Sequence, residues 1–112
     1  MKQHAGLTVE RWSKFSLEQQ ILSIGAEMLR ARTSLQLSSD ASVRLSYERV
    51  LRMVDLTVAA NRSPRLWREL LRWRDLVAEQ YISPQPSLEL HMDLLRCLLR
   101  FTRETSKQVA HL

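Results

Sequence analysis

The feature that most constrains the fold is an apolar repeat spaced by three and four residues. Its first stretch comprises Leu17, Ile21, Ile24, Met28, Ala31 and Leu35. This spacing places all of these residues on one face of an α-helix. The chain has only 2 glycines and 3 prolines, too few for the many tight turns of a β-sandwich or β-barrel. The sequence therefore predicts an all-α protein.

Capping residues divide the repeat into four predicted helices. Ser16 and Gln19 form a capping-box pattern. Ser63-Pro64 places an N-cap residue before a proline at the first helical position, and Ser87 can cap a last helix. Because short connections make consecutive helices antiparallel, we expect an antiparallel up-down-up-down four-helix bundle. The predicted helices cover residues 17–37, 40–61, 64–82 and 88–108.

The segment before the first predicted helix is expected to be an appendage rather than a second domain. A chain of 112 residues suits one domain. We expect an N-terminal arm over residues 1–15 and a single domain over residues 16–112. Trp12 and Phe15 are expected to pin this arm to the end of the bundle as a hydrophobic staple.

No catalytic, metal-binding or cofactor-binding pattern is recognisable. The histidines, His4, His91 and His111, are scattered, and no H-E-x-x-H motif, C-x-x-C motif or glycine-rich phosphate loop occurs. We therefore expect no catalytic residue, no metal and no cofactor. A hydrolase that uses His91 is the distant alternative.

Three residues inside the predicted helices invite a functional interpretation, and each is given a structural one. His91 lies among leucines and is interpreted as a packed core histidine. Cys97 is interpreted as a buried, inert thiol. Gly25 costs about 1 kcal/mol relative to alanine inside a helix, and we interpret it as permitting a close helix crossing.

The distribution of cysteine and apolar residues bears on the compartment. A single cysteine cannot form an intramolecular disulfide. The longest uncharged run, residues 80–88, is interrupted by two prolines and is far shorter than the ~18 apolar residues of a membrane span. We expect a cytoplasmic protein with no membrane contact.

The fourth predicted helix has more apolar surface than one contact requires. Most residues from 88 to 101 are apolar, so this helix must bury more than one side. We predict a homodimer through its second face, and a helix covered by its three neighbours is the alternative. The candidate apolar face comprises Leu90, Leu94, Cys97 and Phe101.

Arginine gathers at one end of the expected bundle. The chain has 14 arginines but 3 lysines and a net charge of +5. The third predicted helix has basic residues at its start and acidic residues towards its end, which opposes the helix dipole. We predict an anion-binding or acidic-partner surface, and a solvated charged face is the alternative. This candidate basic patch comprises Arg62, Arg65, Arg68, Arg100, Arg103 and Lys107.

Two segments carry a resemblance to known proteins. Residues 12–31, WSKFSLEQQILSIGAEMLRA, and residues 66–76, LWRELLRWRDL, resemble small bacterial four-helix-bundle proteins with no assigned activity. Ser16-Leu17-Glu18 is also similar to the Ser-x-Glu that opens the first helix of S-type flagellar export chaperones. The largely apolar fourth helix and the lack of a catalytic pattern lead us to expect a non-enzymatic interaction module that self-associates and binds a protein partner. Nucleic-acid or polyanion binding through the basic patch is the alternative function.

Overall fold

The computed structural model describes residues 7–112, and in this part of the chain all regular structure is helical. The all-α prediction is confirmed. The first six residues of the predicted arm, His4 included, lie outside the described residues. The elements are α1 Val9–Trp12, α2 Leu17–Gln36, α3 Asp40–Ala60, α4 Pro64–Ile82, α5 Leu88–Leu99, α6 Arg103–Ser106 and a 3₁₀-helix, Lys107–His111.

The capping residues begin the long helices where the sequence predicts. The Ser16 hydroxyl accepts a hydrogen bond from the Gln19 backbone N–H, and the Gln19 side chain accepts one from the Ser16 N–H. Ser63 caps α4, with Pro64 at its first position, and Ser87 caps α5. These bonds satisfy backbone donors that the first helical turn leaves without partners, and the predicted starts of α2, α4 and α5 are confirmed.

The four long helices surround one apolar core. α2 packs against α3 and α5, and α4 packs against the same two helices. The contacts between α3 and α4 run in opposite order along the two helices, since Arg74 binds Asp55 and Tyr81 binds Glu48. The buried side chains include Ile21, Ile24, Met28, Val50, Val54, Leu70, Trp73, Val77, Leu95 and Leu98.

The last predicted helix ends early, and its predicted extent over residues 88–108 is wrong beyond Leu99. Arg100 closes α5, and Thr102 begins α6 by accepting a hydrogen bond from the Thr105 backbone N–H. The Thr105 hydroxyl donates to the Leu99 carbonyl oxygen over 2.6 Å. Threonine side chains thus bind backbone groups that a continuous helix would use, so α6 turns away and packs against α2 and α5.

Ser38 ends α2 in a backbone conformation that side-chain-bearing residues rarely adopt. Its φ is +53°, in the left-handed region that favours glycine. The Ser39 N–H donates to the Ser34 carbonyl oxygen, and the Ser38 N–H donates to the Leu35 carbonyl oxygen. These bonds satisfy carbonyl groups at the end of α2.

Each tryptophan donates an indole hydrogen bond at a different junction. Trp12 is buried and donates to the Thr57 hydroxyl over 2.9 Å, which attaches α1 to α3. Trp67 donates to the Asn61 carbonyl oxygen in the connection between α3 and α4. Trp73 donates to the Leu94 carbonyl oxygen over 2.8 Å, which joins α4 to α5. Phe15, the second residue of the expected staple, packs edge-to-face on Trp12 but is 48% exposed.

Gly25 faces α5 without a close backbone approach. A Cβ atom at this position would lie 3.5 Å from Leu99 Cδ2 and 3.9 Å from Leu95 Cδ1. Both distances are ordinary van der Waals separations. The packing of α2 on α5 therefore does not require glycine, and the interpretation of Gly25 as a close-crossing residue is not supported.

Candidate functional site

A groove opens between the first turns of α4 and the end of α5. Its volume is about 470 Å³, within the range of small-ligand and peptide-anchor sites. Ser63 lies at the groove because it is the N-cap residue of α4, and Arg100 lies there because it is the C-cap residue of α5. The groove is lined by Ser63, Arg65, Leu66, Glu69, Cys97, Arg100 and Phe101.

One part of the groove is basic. Arg65 and Arg100 are exposed, and neither forms an ion pair with a carboxylate of residues 7–112. The acidic residue of the groove, Glu69, lies 3.9 Å from Arg72 in a surface pair that contributes little. Two guanidinium groups thus remain available for the planar, two-point binding of a carboxylate or phosphate.

The other part of the groove is apolar. Leu66 and Phe101 are partly buried and pack against the core, so their inner edges are held in place. Cys97 is exposed, so the interpretation of this residue as a buried thiol is wrong. Cys97 is one helical turn from the exposed Asp93 and Arg100, so it lies outside the buried face of α5.

The remaining members of the basic patch do not all join the groove. Arg62 lies in the connection before α4, and Arg68 lies exposed on α4. Arg103 begins α6, which packs against α2 and α5, and Lys107 begins the 3₁₀-helix, which packs against α5 and α6. Lys107 pairs with Glu104 at 3.3 Å. Of the predicted patch, Arg65 and Arg100 line the groove, whereas Arg62, Arg68, Arg103 and Lys107 do not.

The candidate apolar face is also divided. Leu94 is 3% exposed and belongs to the core, whereas Leu90 is 43% exposed. Cys97 and Phe101 line the groove beside Arg100. Parts of the candidate apolar face and of the candidate basic patch therefore meet in one groove. The sequence signal for this meeting was the spacing of three and four residues from Cys97 to Arg100 and Phe101.

His91 occupies a closed hydrogen-bond chain in the core, which confirms its interpretation as a core histidine. It is fully buried, and its Nε2 donates to the Met28 carbonyl oxygen over 2.7 Å. Because a carbonyl oxygen only accepts, Nε2 carries the proton of the neutral ring, and Nδ1 accepts from the Tyr47 hydroxyl over 2.8 Å. Gln80 donates to the same hydroxyl over 3.3 Å. Both ring nitrogens are thus engaged within the core.

Burial also shifts the pKa values of His91 and Tyr47. Burial lowers the pKa of His91 below its ordinary value, and the charge of Arg32 lowers it further. Burial raises the pKa of Tyr47. The pair is therefore neutral near pH 7, and the hydrogen bonds described above are those of the neutral groups.

Within residues 7–112, no three His, Cys, Asp or Glu side chains come together as a metal site. No helix in this range is long and apolar enough to cross a membrane.

The fold and the groove define an all-helical protein with a basic and apolar surface site. Compared with known proteins, the chain matches no family model, no curated protein and no solved structure.

Proposed function

We propose that this protein is a non-enzymatic interaction module whose groove binds an acidic, partly apolar segment of a partner protein. The observation that carries the proposal is the pairing of two guanidinium groups, from Arg65 and Arg100, with the apolar side chains of Leu66 and Phe101. A partner segment with a carboxylate next to an apolar residue satisfies both parts of the groove at once.

The architecture that supports this proposal is an up-down-up-down bundle of α2, α3, α4 and α5. The reversed order of contacts between α3 and α4 favours it, and so does the ring of helix pairs α2–α3, α3–α4, α4–α5 and α5–α2. Such a bundle brings the start of α4 beside the end of α5, which is where the groove lies. The groove residues thus lie on or directly beside the ends of two packed helices.

The test measures binding of a labelled acidic peptide by fluorescence anisotropy. The probe is an alternating glutamate–leucine octapeptide, and its control is the matching glutamine–leucine octapeptide. The double variant Arg65→Glu/Arg100→Glu is expected to weaken binding of the acidic peptide by at least about tenfold, because charge-assisted hydrogen bonds give way to repulsion.

A matched control separates the groove from the general charge of the protein. The double variant Lys14→Glu/Arg52→Glu makes the same change in net charge at exposed positions outside the groove. It is expected to bind the acidic peptide nearly as well as the unmodified protein. Equal binding by both double variants, or equal affinity for the two octapeptides, would contradict the proposal.

A second candidate function is the binding of nucleic acid or another polyanion at the basic patch. It is favoured by the fact that five of its six residues form no ion pair with a carboxylate in the described part of the chain: Arg62, Arg65, Arg68, Arg100 and Arg103. Phosphate contacts are strongest at low salt, so binding to an oligonucleotide is measured at ~50 mM salt. Reversing the charge of Arg65, Arg68 and Arg103 is expected to abolish it, and undiminished binding would refute this function.

A further inference from the structure

The outer face of α4 changes sign along its length. Its first half carries exposed arginines and its second half exposed carboxylates, while two leucines near its middle are 45% and 41% exposed. None of these side chains lines the groove between α4 and α5. The set, here called the α4 stripe, comprises Arg68, Leu71, Arg72, Asp75, Leu76 and Glu79.

Within residues 7–112 of one copy, only one charged residue of the α4 stripe forms an ion pair, since Arg72 lies 3.9 Å from Glu69 in a surface pair. Arg68, Asp75 and Glu79 form no ion pair with any charged residue of the described chain. The basic residues lie at the positive end of the helix dipole and the acidic residues towards its negative end. Glu79 lies in the last turn of α4, where the dipole disfavours a carboxylate, and a cation supplied from outside the helix would offset this cost.

The positions of the α4 stripe are symmetric about a point between residues 73 and 74. Arg68 and Glu79 are equally far from this point, as are Arg72 and Asp75. The two leucines, Leu71 and Leu76, are also equidistant from it. When a second α4 lies antiparallel with a twofold axis at this point, each arginine is level with a carboxylate of the other copy.

We infer that this protein forms a symmetric homodimer in which the α4 stripes of two copies pack antiparallel. Arg68 and Glu79 are about 16 Å apart along one helix, too far to pair within it. In the antiparallel arrangement Arg68 of each copy lies opposite Glu79 of the other. Leu71 and Leu76 lie between these pairs along the helix and are removed from water when the helices meet.

The small size and the charge of the contact between two α4 helices indicate how tightly the dimer associates. A single pair of helices gives an interface near the small end of those found in specific complexes, and much of the stripe is charged. The dimer is therefore reversible and sensitive to salt. It goes beyond the proposed function because it uses a different surface of α4, so failure of one leaves the other intact.

The experiment is sedimentation equilibrium of the full chain at ~50 mM salt, where surface charges are weakly screened, over a series of concentrations. The expected species has twice the monomer mass of 13.1 kDa. The first variant, Arg68→Glu/Arg72→Glu, makes all four charged residues of the stripe acidic. The second, Asp75→Arg/Glu79→Arg, makes all four basic. Each variant alone is expected to dissociate at least about tenfold more readily than the unmodified protein, because like charges then face each other.

Mixing the two variants provides the decisive result. In the antiparallel register every acidic side chain of one variant faces a basic side chain of the other, so an equimolar mixture is expected to form a one-to-one dimer. This recovery also shows that both variants are folded. The control Lys14→Glu/Arg52→Glu changes charge outside α4 and is expected to dimerise like the unmodified protein.

Three results would overturn the inference. The first is an unmodified protein that stays monomeric at low salt, and the second is a dimer that either stripe variant leaves unchanged. The third is a mixture of the two variants that contains only monomers. A dimer that persists in both variants would place the self-contact on another surface, such as the exposed part of α5 around Leu90.

Discussion

Replacing Gly25 by alanine should stabilise this protein, although glycine in the middle of a buried helix face usually indicates tight packing. Alanine is favoured over glycine by about 1 kcal/mol inside a helix, and Gly25 lies within α2. The added methyl group would lie 3.5 Å from Leu99 and 3.9 Å from Leu95, where it gains contacts without a clash. We expect the free energy of unfolding to rise by about 1 kcal/mol, or about 4 °C in Tm for a domain of this size.

The assay is urea unfolding followed by circular dichroism, with Ala26→Gly as the matched control. Ala26 is the next residue of α2 and is exposed, so this change tests helix propensity without a packing effect. It should lower the free energy of unfolding by about the amount that Gly25→Ala raises it. A loss of stability in Gly25→Ala, with the expected loss in Ala26→Gly, would refute the reasoning and show that α2 and α5 need a glycine contact.

Three further outcomes follow from single residues. Ser38→Gly should raise the free energy of unfolding by about 0.5–1 kcal/mol in urea titrations, because glycine adopts positive φ without strain. Because folding lowers the pKa of His91, acidification protonates this side chain in the unfolded chain before it does so in the folded protein. Stability should therefore fall as pH drops below about 6.5, and the fall should be smaller in His91→Gln. Thr105→Val removes the bond to the Leu99 carbonyl oxygen and should cost about 1–2 kcal/mol, with faster amide hydrogen exchange after Leu99.

The sequence determines the starts of the helices better than their ends. Ser16, Ser63 and Ser87 each precede an apolar repeat, and their side chains accept from backbone N–H groups only three residues away. Such local bonds can be recognised from residue type and spacing. The end of α5 depends on the Thr105 hydroxyl reaching the Leu99 carbonyl oxygen. This hydrogen bond forms only when the chain turns back after Leu99. The apolar pattern of the sequence continues unbroken there and does not indicate the turn.

The candidate site was predictable in its parts but not as a whole. Arg65 and Arg100 are identified from charge alone, and Phe101 from its apolar character. Their meeting in one groove depends on which turn of α4 faces the end of α5. That register is determined by core contacts such as the one between Trp73 and Leu94, which the pattern of a single helix does not contain.

The three indole hydrogen bonds give this protein a built-in set of optical reporters. Trp12 reports the attachment of α1 to α3, Trp67 the connection into α4, and Trp73 the contact between α4 and α5. Replacing two of them by phenylalanine at a time leaves one emitter at a known junction. Emission maxima recorded during unfolding then reveal whether these junctions open together or in sequence, without any attached dye.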